Sequence, residues 1–307
     1  MTYFDELPLN DDILDALDDM NFVECTPIQE LAIPKIFSGC DLIASAQTGT
    51  GKTAAYLLPI IEKISSGVLD KNRVNALILV PTRELAQQVD QLMAGFAYYL
   101  NITWIAIFGG NDGVAFSQQQ KALKDGCDIV VATPGRLISF LRTCNIDFSA
   151  IDMLVLDEAD RMLDIGFYDD IMEIVKYINH KCQTLLFSAT YPKTVEKLAM
   201  KILHNPEQVK ISVSKPADGI SQNIFLVNDD LKQKLLCAIA KSQSWKKTII
   251  FASAKQNVKD LYKQLIRLNF NVAQIHSDLD NNTRSEVILN FKNGKVDLLV
   301  ATDVVAR

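Results

Sequence analysis

The sequence lacks the features that mark membrane, exported and zinc-stabilised proteins. No uninterrupted apolar run among its 307 residues approaches the roughly 20 that a membrane helix needs. The first residues have neither the basic nor the apolar region of a signal peptide. The 6 cysteines include no C-x-x-C pair and no grouping with histidine at zinc-ligand spacing. We therefore expect reduced thiols in a cytoplasmic protein that is neither exported nor inserted into a membrane.

Positive charge is also scarce. The chain has 31 Lys and Arg against 37 Asp and Glu, and its formal net charge is -6. Residues 1–30 hold nine carboxylates and no Lys or Arg, whereas residues 215–307 hold 14 basic and 9 acidic side chains. The chain as a whole therefore has no electrostatic signature of a nucleic-acid-binding protein, and any such site must be local.

Short apolar runs of strand length recur along the first two thirds of the chain, separated by stretches with helical spacing. The runs lie at residues 41–46, 76–82, 104–110, 128–135, 153–160 and 184–190. Between two of them, Leu85, Val89, Leu92 and Phe96 repeat at steps of three and four residues. Apolar strands that alternate with helices are typical of a parallel sheet covered on both faces, so we predict an α/β fold with a doubly wound sheet.

This pattern stops at residues 204–221, where prolines and a glycine interrupt it, and then starts again. We place a linker near 209–219, between a first domain at 1–210 and a second α/β domain at 218–307. Strands of the second domain are predicted at 223–227, 248–254, 271–277 and 297–303. No covering helix follows the last strand, so we expect the second domain to be incomplete in this chain.

The segment AQTGTGKT, Ala46–Thr53, follows an apolar strand and precedes a helical run. A glycine-rich turn that opens a helix directs backbone N–H groups and the positive end of the helix dipole at one point, which binds phosphate. Lys52 would reach the terminal phosphates, and Thr53 would supply a hydroxyl to Mg²⁺. The loop residues that would surround the phosphates are Ala46, Gln47, Thr48, Gly49, Thr50 and Gly51. The alternative, a turn that ends in Lys-Thr by chance, leaves the flanking strand and helix unexplained.

A second segment, DEAD at Asp157–Asp160, follows another apolar strand. Carboxylates at the carboxyl end of a buried strand lie on the ligand-binding edge of a parallel sheet. Asp157 would hold Mg²⁺ through water, and Glu158 would orient or deprotonate the attacking water. The alternative is a helix N-terminus that favours acids, which predicts one or two carboxylates rather than three in four residues. The two segments together predict a Mg²⁺-dependent nucleoside triphosphatase.

Further segments extend this pattern over nearly the whole chain, in a fixed order. They are NFVECTPIQ at 21–29, PTRELAQQ at 81–88, Gly109-Gly110, TPGRL at 133–137, SAT at 188–190, IIFASAK at 249–255, HSDL at 276–279 with Arg284, and VATDVVAR at 300–307. With AQTGTGKT and DEAD, this ordered set resembles the DEAD-box family of ATP-dependent RNA helicases. The resemblance implies two RecA-like domains.

The resemblance also implies how the nucleotide is recognised. Gln29 matches the residue that reads the adenine edge, so ATP is implied over GTP. Thr26 shapes the adjoining turn, and Phe4 matches an upstream aromatic residue that stacks on the base. The alternative for Phe4 is an apolar contact beneath the first helix. Asp303 matches a residue that contacts the ribose.

RNA contacts are implied at the opposite end of the same sheet edge, mainly to the sugar-phosphate backbone. The matching positions are Arg83, Gly110, Thr133, Arg136, Arg284 and Thr302. Small residues and main-chain dipoles dominate this set, which reconciles an acidic chain with RNA binding that reads no sequence. Taken singly, Arg83 or Arg136 would more often be a solvated surface arginine or a partner in an ion pair.

Ser188 and Thr190 of the SAT segment follow one more apolar run and could hydrogen-bond to the DEAD carboxylates. The family uses this segment to couple hydrolysis to strand separation. We therefore expect an ATP-dependent RNA helicase that unwinds short duplexes or remodels RNA–protein complexes. An ATP-gated RNA clamp or scaffold and a DNA helicase or translocase remain as alternatives. The resemblance places an arginine finger beyond residue 307, and protein partners would bind through segments beyond that residue as well.

Overall fold

A computed structural model of the chain describes residues 2–67, 69, 73–109, 113–144, 146–179, 181–211, 220–243 and 245–302. The chain divides into two compact units, Met1–Asp218 and Gly219–Arg307. None of the helices in the described ranges is long and apolar enough to cross a membrane.

The first unit is built on a parallel sheet of seven strands in the order β3-β4-β2-β5-β6-β1-β7. The strands are β1 (Leu42–Ser45), β2 (Ala76–Leu79), β3 (Trp104–Ile107), β4 (Ile129–Ala132), β5 (Met153–Leu156), β6 (Gln183–Ser188) and β7 (Glu207–Lys210). Strands β1 to β6 coincide with the six predicted apolar runs, so the predicted doubly wound sheet is confirmed.

The edge strand β7 is a difference from the prediction. The linker was placed from residue 209 onward, but the backbone pairs with β1 as far as Lys210. Only Val209 of this strand is buried, since its other three residues are exposed. A mostly polar strand at a sheet edge carries too weak an apolar pattern to be recognised from the sequence.

Helices cover both faces of this sheet. They are α1 (Asp11–Asp19), α2 (Pro27–Phe37), α3 (Lys52–Ser65), α4 (Arg83–Phe96), α5 (Gly113–Asp125), α6 (Pro134–Thr143), α7 (Ala159–Ile165), α8 (Tyr168–Val175) and α9 (Lys193–Ile202). Successive strand residues enter opposite cores: Ala76 and Ile78 of β2 belong to one buried cluster, and Leu77 and Leu79 belong to the other. This alternation is what a sheet buried on both faces requires.

The second unit has a parallel sheet of three strands in the order β8-β10-β9. Its elements are α10 (Asp229–Ser242), β8 (Thr248–Ala252), α11 (Lys255–Arg267), β9 (Val272–Ile275), α12 (Asn281–Lys292) and β10 (Leu298–Thr302). As the spacing of its apolar residues predicts, α11 buries Val258, Leu261 and Leu265 on one face.

The strand predicted at residues 223–227 is wrong. These residues form no strand in the described part of the unit, and Ile224 and Leu226 are 88% and 98% exposed. An apolar run identifies a segment that is able to pair, but it does not supply the neighbouring strand that pairing requires.

Candidate functional site

The predicted phosphate loop connects β1 to α3. Gly49 and Gly51 have φ angles of 82° and 91°, the left-handed region that favours glycine, and Gly51 is the residue at which α3 is capped. The Lys52 side chain folds back along the loop, where its Nζ donates to the Ala46 carbonyl oxygen at 2.9 Å. An ammonium group has three donors, so two remain for a ligand.

The carboxylate of Asp157 lies at the end of β5 and is held on both of its oxygens. Oδ1 accepts the backbone N–H of Glu158 at 2.8 Å, and Oδ2 accepts the Tyr56 hydroxyl at 2.9 Å. The residue is only 2% exposed. Burial raises the pKa of Asp157 to about 6, although Lys52 and the Tyr56 hydrogen bond act to lower it.

Tyr56 is fully buried one turn into α3. Burial raises the pKa of Tyr56 well above its usual value, the Asp157 carboxylate raises it further, and a hydrogen bond with the Thr53 side chain lowers it. The phenol therefore keeps its proton at neutral pH.

Glu158 has a left-handed backbone, with φ 51° and ψ 50°, at the start of α7. Its Oε2 forms an ion pair with Arg161 Nη1 at 3.1 Å, and the two side chains are 14% and 11% exposed. A non-glycine residue in this region is uncommon, and such conformations concentrate at functional sites.

Residues of the phosphate loop and of DEAD line one cavity of about 270 Å³. Its polar wall is formed by Thr48, Gly49, Gly51, Lys52, Thr53, Gln88, Asp157 and Glu158. Its apolar wall includes Phe22, Leu85 and Leu92. The sequence alone predicts no ligand role for the apolar wall, because Leu85 and Leu92 show only the spacing of residues that pack a helix.

Gln29, near the start of α2, connects the N-terminal arm to the phosphate loop. Its Oε1 accepts the Thr26 backbone N–H at 2.8 Å, and its Nε2 donates to the Gly51 carbonyl oxygen at 3.1 Å. The side chain is almost completely buried, at 1% exposure. These contacts use one donor and one lone pair of the amide, which leaves one of each for a base edge.

Phe4 lies in the hydrophobic core of the first unit at 2% exposure. Its ring centroid is 6.3 Å from that of Phe22, and both residues line a cavity of about 180 Å³. Phe4 is not among the residues that line the phosphate-loop cavity. Stacking of Phe4 on a base therefore stays a prediction, and Phe22 is the aromatic residue that faces the phosphate loop.

The SAT segment contacts the last carboxylate of DEAD. Thr190 donates to Asp160 Oδ2 from its hydroxyl at 2.7 Å and from its backbone N–H at 2.9 Å. Ser188 Oγ accepts the Asp160 N–H at 3.3 Å and donates to the Thr190 carbonyl oxygen at 2.6 Å. Burial alone would raise the pKa of Asp160, but the hydrogen bonds that Thr190 donates to the carboxylate lower it below its usual value.

The predicted RNA contacts of the first unit follow β2 and β4. Thr82 caps α4 by accepting the Leu85 N–H at 3.3 Å, and Arg83 follows it with its guanidinium 5.8 Å from the ring centroid of Phe108. Thr133 follows β4 directly and donates its N–H to Ile107 O at 3.0 Å. Arg136 lies in the first turn of α6, with its guanidinium 5.2 Å from the Phe140 ring centroid.

Two predicted RNA contacts of the second unit are described. Arg284 lies in the first turn of α12, where its backbone N–H donates to Asp280 O at 3.1 Å, and Thr302 is the last residue of β10 and is 7% exposed. Gly110 and Asp303 lie outside the described residues.

The strand order divides the sheet edge of the first unit into two halves. The phosphate loop, DEAD and SAT follow β1, β5 and β6, whereas Arg83 and Thr133 follow β2 and β4. All five strands are parallel neighbours, so their carboxyl ends meet at one edge, with one predicted set on each side of the β5–β2 boundary. A glycine-rich loop and a buried carboxylate on such an edge place the first unit in the P-loop class of nucleotide-binding proteins.

Comparison with known proteins identifies the family within that class. The sequence model of the DEAD/DEAH box helicase family matches residues 26–198, and that of the helicase conserved C-terminal domain matches residues 231–307. The chain belongs to the DEAD/DEAH box helicase family, which confirms the resemblance drawn from its motifs.

Similar proteins cover nearly the whole chain. It is 40% identical to the ATP-dependent RNA helicase CshA of Listeria monocytogenes over 308 residues, which include 100% of this chain and 58% of CshA. It is 38% identical to the ATP-dependent RNA helicase RhlB of Pseudomonas syringae, covering 100% of this chain and 78% of RhlB. The chain thus spans only part of the length of these relatives.

Among solved structures, Saccharomyces cerevisiae Dbp5 bound to RNA and ADP BeF3 matches with a TM-score of 0.86 at 29% identity, covering 100% of this chain and 77% of that one. A DEAD box protein from Methanococcus jannaschii matches with a TM-score of 0.65 at 34% identity, covering 100% and 82% of the two chains. These neighbours agree with the predicted RecA-like fold.

Proposed function

We propose that this chain carries the ATPase and RNA-binding machinery of a DEAD-box ATP-dependent RNA helicase, which couples hydrolysis of Mg²⁺-ATP to local unwinding or remodelling of RNA. The observation that carries the proposal is the shared sheet edge. The phosphate loop, DEAD and SAT lie on one half of that edge, and the described RNA-contact candidates of the first unit, Arg83, Thr133 and Arg136, lie on the other. The similarity to ATP-dependent RNA helicases, and the RNA and ADP BeF3 bound to Dbp5, support the same function.

The site fits a magnesium ion that is bound mainly by phosphate and water. In the described ranges, no group of three His, Cys, Asp or Glu side chains could hold a metal by itself. Mg²⁺ commonly takes one or two protein oxygens and fills its remaining positions with substrate phosphate and water. Asp157 and the Thr53 hydroxyl are the protein groups that would hold it. Bound there, the ion would neutralise charge on the phosphates.

Lys52, Glu158 and Gln29 would divide the remaining work. Lys52 would bind the terminal phosphates with the two donors that its Ala46 contact leaves unused. Glu158, fixed by Arg161, would orient the attacking water or accept its proton. Gln29 would read the adenine edge with its remaining donor and acceptor, and Asp303 would contact the ribose.

The free state of all six cysteines agrees with a cytoplasmic protein.

RNA would bind through the sugar and phosphate groups along the β2 and β4 half of the edge. Arg83 and Arg136 would supply charge there, while Thr133 and main-chain dipoles would contact phosphate and 2′-hydroxyl oxygens. Arg284 and Thr302 would contribute from the second unit. The contacts of Ser188 and Thr190 with Asp160 would link hydrolysis to strand separation.

Lys52→Ala and Glu158→Gln test the two halves of the nucleotide site in the protein that contains this chain. Lys52→Ala should weaken ATP binding and abolish turnover. Glu158→Gln should retain ATP binding but lower RNA-stimulated turnover by about 10²–10⁴-fold, the range typical of a general acid–base group. The measurements are fluorescent-ATP binding, ATPase rates with RNA and DNA of one sequence, and unwinding of a short RNA duplex.

Glu173→Gln is the matched control, because it removes the Glu173–Arg142 ion pair at 2.7 Å on the surface of the same unit. It should leave ATPase activity unchanged. Turnover near the wild-type rate in Glu158→Gln would remove Glu158 from its role. Equal stimulation by DNA and RNA would contradict an RNA substrate.

A further inference from the structure

Tyr56 lies behind the nucleotide site, one turn along α3 from the phosphate loop. The side chain is completely buried, and its ring packs against Phe187 with a centroid distance of 5.3 Å and an interplanar angle of 59°. A buried phenol needs a partner for its hydroxyl, because an unpaired polar group in the core destabilises the fold. Here that partner is the carboxylate of Asp157, at 2.9 Å.

The phenol hydroxyl contacts one of the two protein groups that would hold magnesium. It donates to Oδ2 of Asp157 at 2.9 Å. The other oxygen of Asp157 accepts the Glu158 backbone N–H at 2.8 Å. The carboxylate is therefore held at both oxygens, and without Tyr56 only the Glu158 contact would set its rotation.

We propose that Tyr56 is a positioning residue for the magnesium-nucleotide complex, whose hydroxyl fixes the Asp157 carboxylate in the orientation that the ion requires. This inference rests on the proposed function, because it assumes the magnesium site at Asp157. Groups that hydrogen-bond to metal ligands fix the orientation of those ligands, and removing such groups typically weakens metal binding or activity by about 10–100-fold.

Tyr56→Phe isolates this role, because it keeps the ring beside Phe187 and removes only the hydroxyl. The experiment titrates Mg²⁺ against binding of a fluorescent, non-hydrolysable ATP analogue, so the readout does not depend on turnover. We expect half-maximal enhancement of binding to need about 10–100-fold more Mg²⁺ in Tyr56→Phe than in the wild type. Binding without Mg²⁺ should change by less than about twofold, since the phenol does not line the cavity.

Tyr99→Phe is the matched control. It also removes a hydrogen bond from a tyrosine hydroxyl to a carboxylate, that of Asp19, but at an exposed position outside the cavity. Its Mg²⁺ titration should coincide with that of the wild type. A further comparison uses Asp157→Asn as background: if Tyr56 acts through Asp157, adding Tyr56→Phe should leave the Mg²⁺ dependence of Asp157→Asn unchanged.

A Tyr56→Phe protein that requires the same Mg²⁺ concentration as the wild type would overturn the inference. So would an equal shift in the wild-type and Asp157→Asn backgrounds, because the effect would then not pass through the carboxylate. If the wild-type protein binds the analogue with no dependence on Mg²⁺, the proposed magnesium site itself is refuted. The wild-type titration therefore tests the proposed function separately from the role of Tyr56.

Discussion

Adding a methyl group at Gly51 and at Gly49 separates backbone strain from steric conflict in the phosphate loop. Both glycines have positive φ angles of similar size, 91° and 82°. A Cβ at Gly49 would meet no atom within 4 Å, whereas a Cβ at Gly51 would lie 2.5 Å from Gln29 Nε2 and 2.9 Å from Thr26 Oγ1. Both substitutions therefore introduce backbone strain, but only Gly51→Ala also introduces a steric conflict.

The shared effect is left-handed backbone strain, about 1–2 kcal/mol for a residue with a Cβ. At Gly51 the Gln29 amide must also move, although it is buried and hydrogen-bonded to both Thr26 and Gly51. Overpacking of a closely packed site costs about 1–3 kcal/mol, and the lost Gln29–Gly51 hydrogen bond adds about 0.5–1.5 kcal/mol. Gly51→Ala should thus lower the free energy of unfolding by about 1.5–4.5 kcal/mol more than Gly49→Ala does.

Urea unfolding without nucleotide measures this difference. The chain has 2 tryptophans, and Trp104 lies in the first unit while Trp245 lies in the second. In a Trp245→Phe background, fluorescence of Trp104 reports unfolding of the first unit alone. A Gln29→Ala background removes two of the three atoms nearest the new methyl group and leaves the Thr26 hydroxyl, so the effect of Gly51→Ala should fall to within about 1 kcal/mol of that of Gly49→Ala. The reasoning would be refuted if the two glycine variants lost equal free energy of unfolding. It would also be refuted if the loss in Gly51→Ala were the same with and without Gln29→Ala.

Two further predictions concern the first unit. Asp41 accepts the backbone N–H groups of Thr184 at 2.7 Å and of His204 at 2.6 Å. Each of these hydrogen bonds to a charged group is worth about 1.5–3 kcal/mol, so Asp41→Ala should lower the free energy of unfolding by about 3–6 kcal/mol in the same urea assay. A loss below about 1 kcal/mol would contradict this account. The second prediction concerns cysteine reactivity. Burial raises the pKa of the Cys25 thiol to about 11 and that of the Cys127 and Cys182 thiols to about 12. In the native protein at mildly alkaline pH, a thiol reagent should therefore modify the exposed Cys40 well before these three, as followed by mass spectrometry of peptides; equally fast labelling of Cys127 would contradict the structure.

The sequence was sufficient for the central strands of the first unit, because a strand buried on both faces is an uninterrupted apolar run. It was insufficient at the sheet edge, where β7 buries only Val209. At residues 223–227 the sequence predicts a strand that does not form, because an apolar run without a neighbouring strand does not form a sheet. In each of these cases, burial against neighbouring elements decided the structure, and the local pattern carried that information only where burial was nearly complete.

The same limit applies to the candidate site. Lys52, Asp157 and Glu158 belong to short segments whose residue types and flanking elements identify phosphate and magnesium chemistry. Tyr56 has no such signature, because an aromatic residue at that position in a helix reads as ordinary core packing. Its contact with Asp157 joins residues 101 positions apart and exists only after β5 has come to lie near α3. Gln29 was recognised through its motif, but its hydrogen bond to Gly51 depends equally on the fold.

The order of the strands gives a physical reason for the proposed nucleotide and RNA sites to affect one another within the first unit. β5 pairs with β6 on one side and with β2 on the other. At its end, the Asp157 N–H donates to Leu79 O at 2.9 Å, on the strand that leads to Thr82 and Arg83. The carboxylate of the same residue contacts Tyr56 on α3. A displacement of Asp157 on binding nucleotide would therefore displace the backbone that positions Arg83. In the opposite direction, a displacement of that backbone would move the Asp157 carboxylate. Because the two halves of the edge share this strand end, coupling between them requires no long pathway through the core.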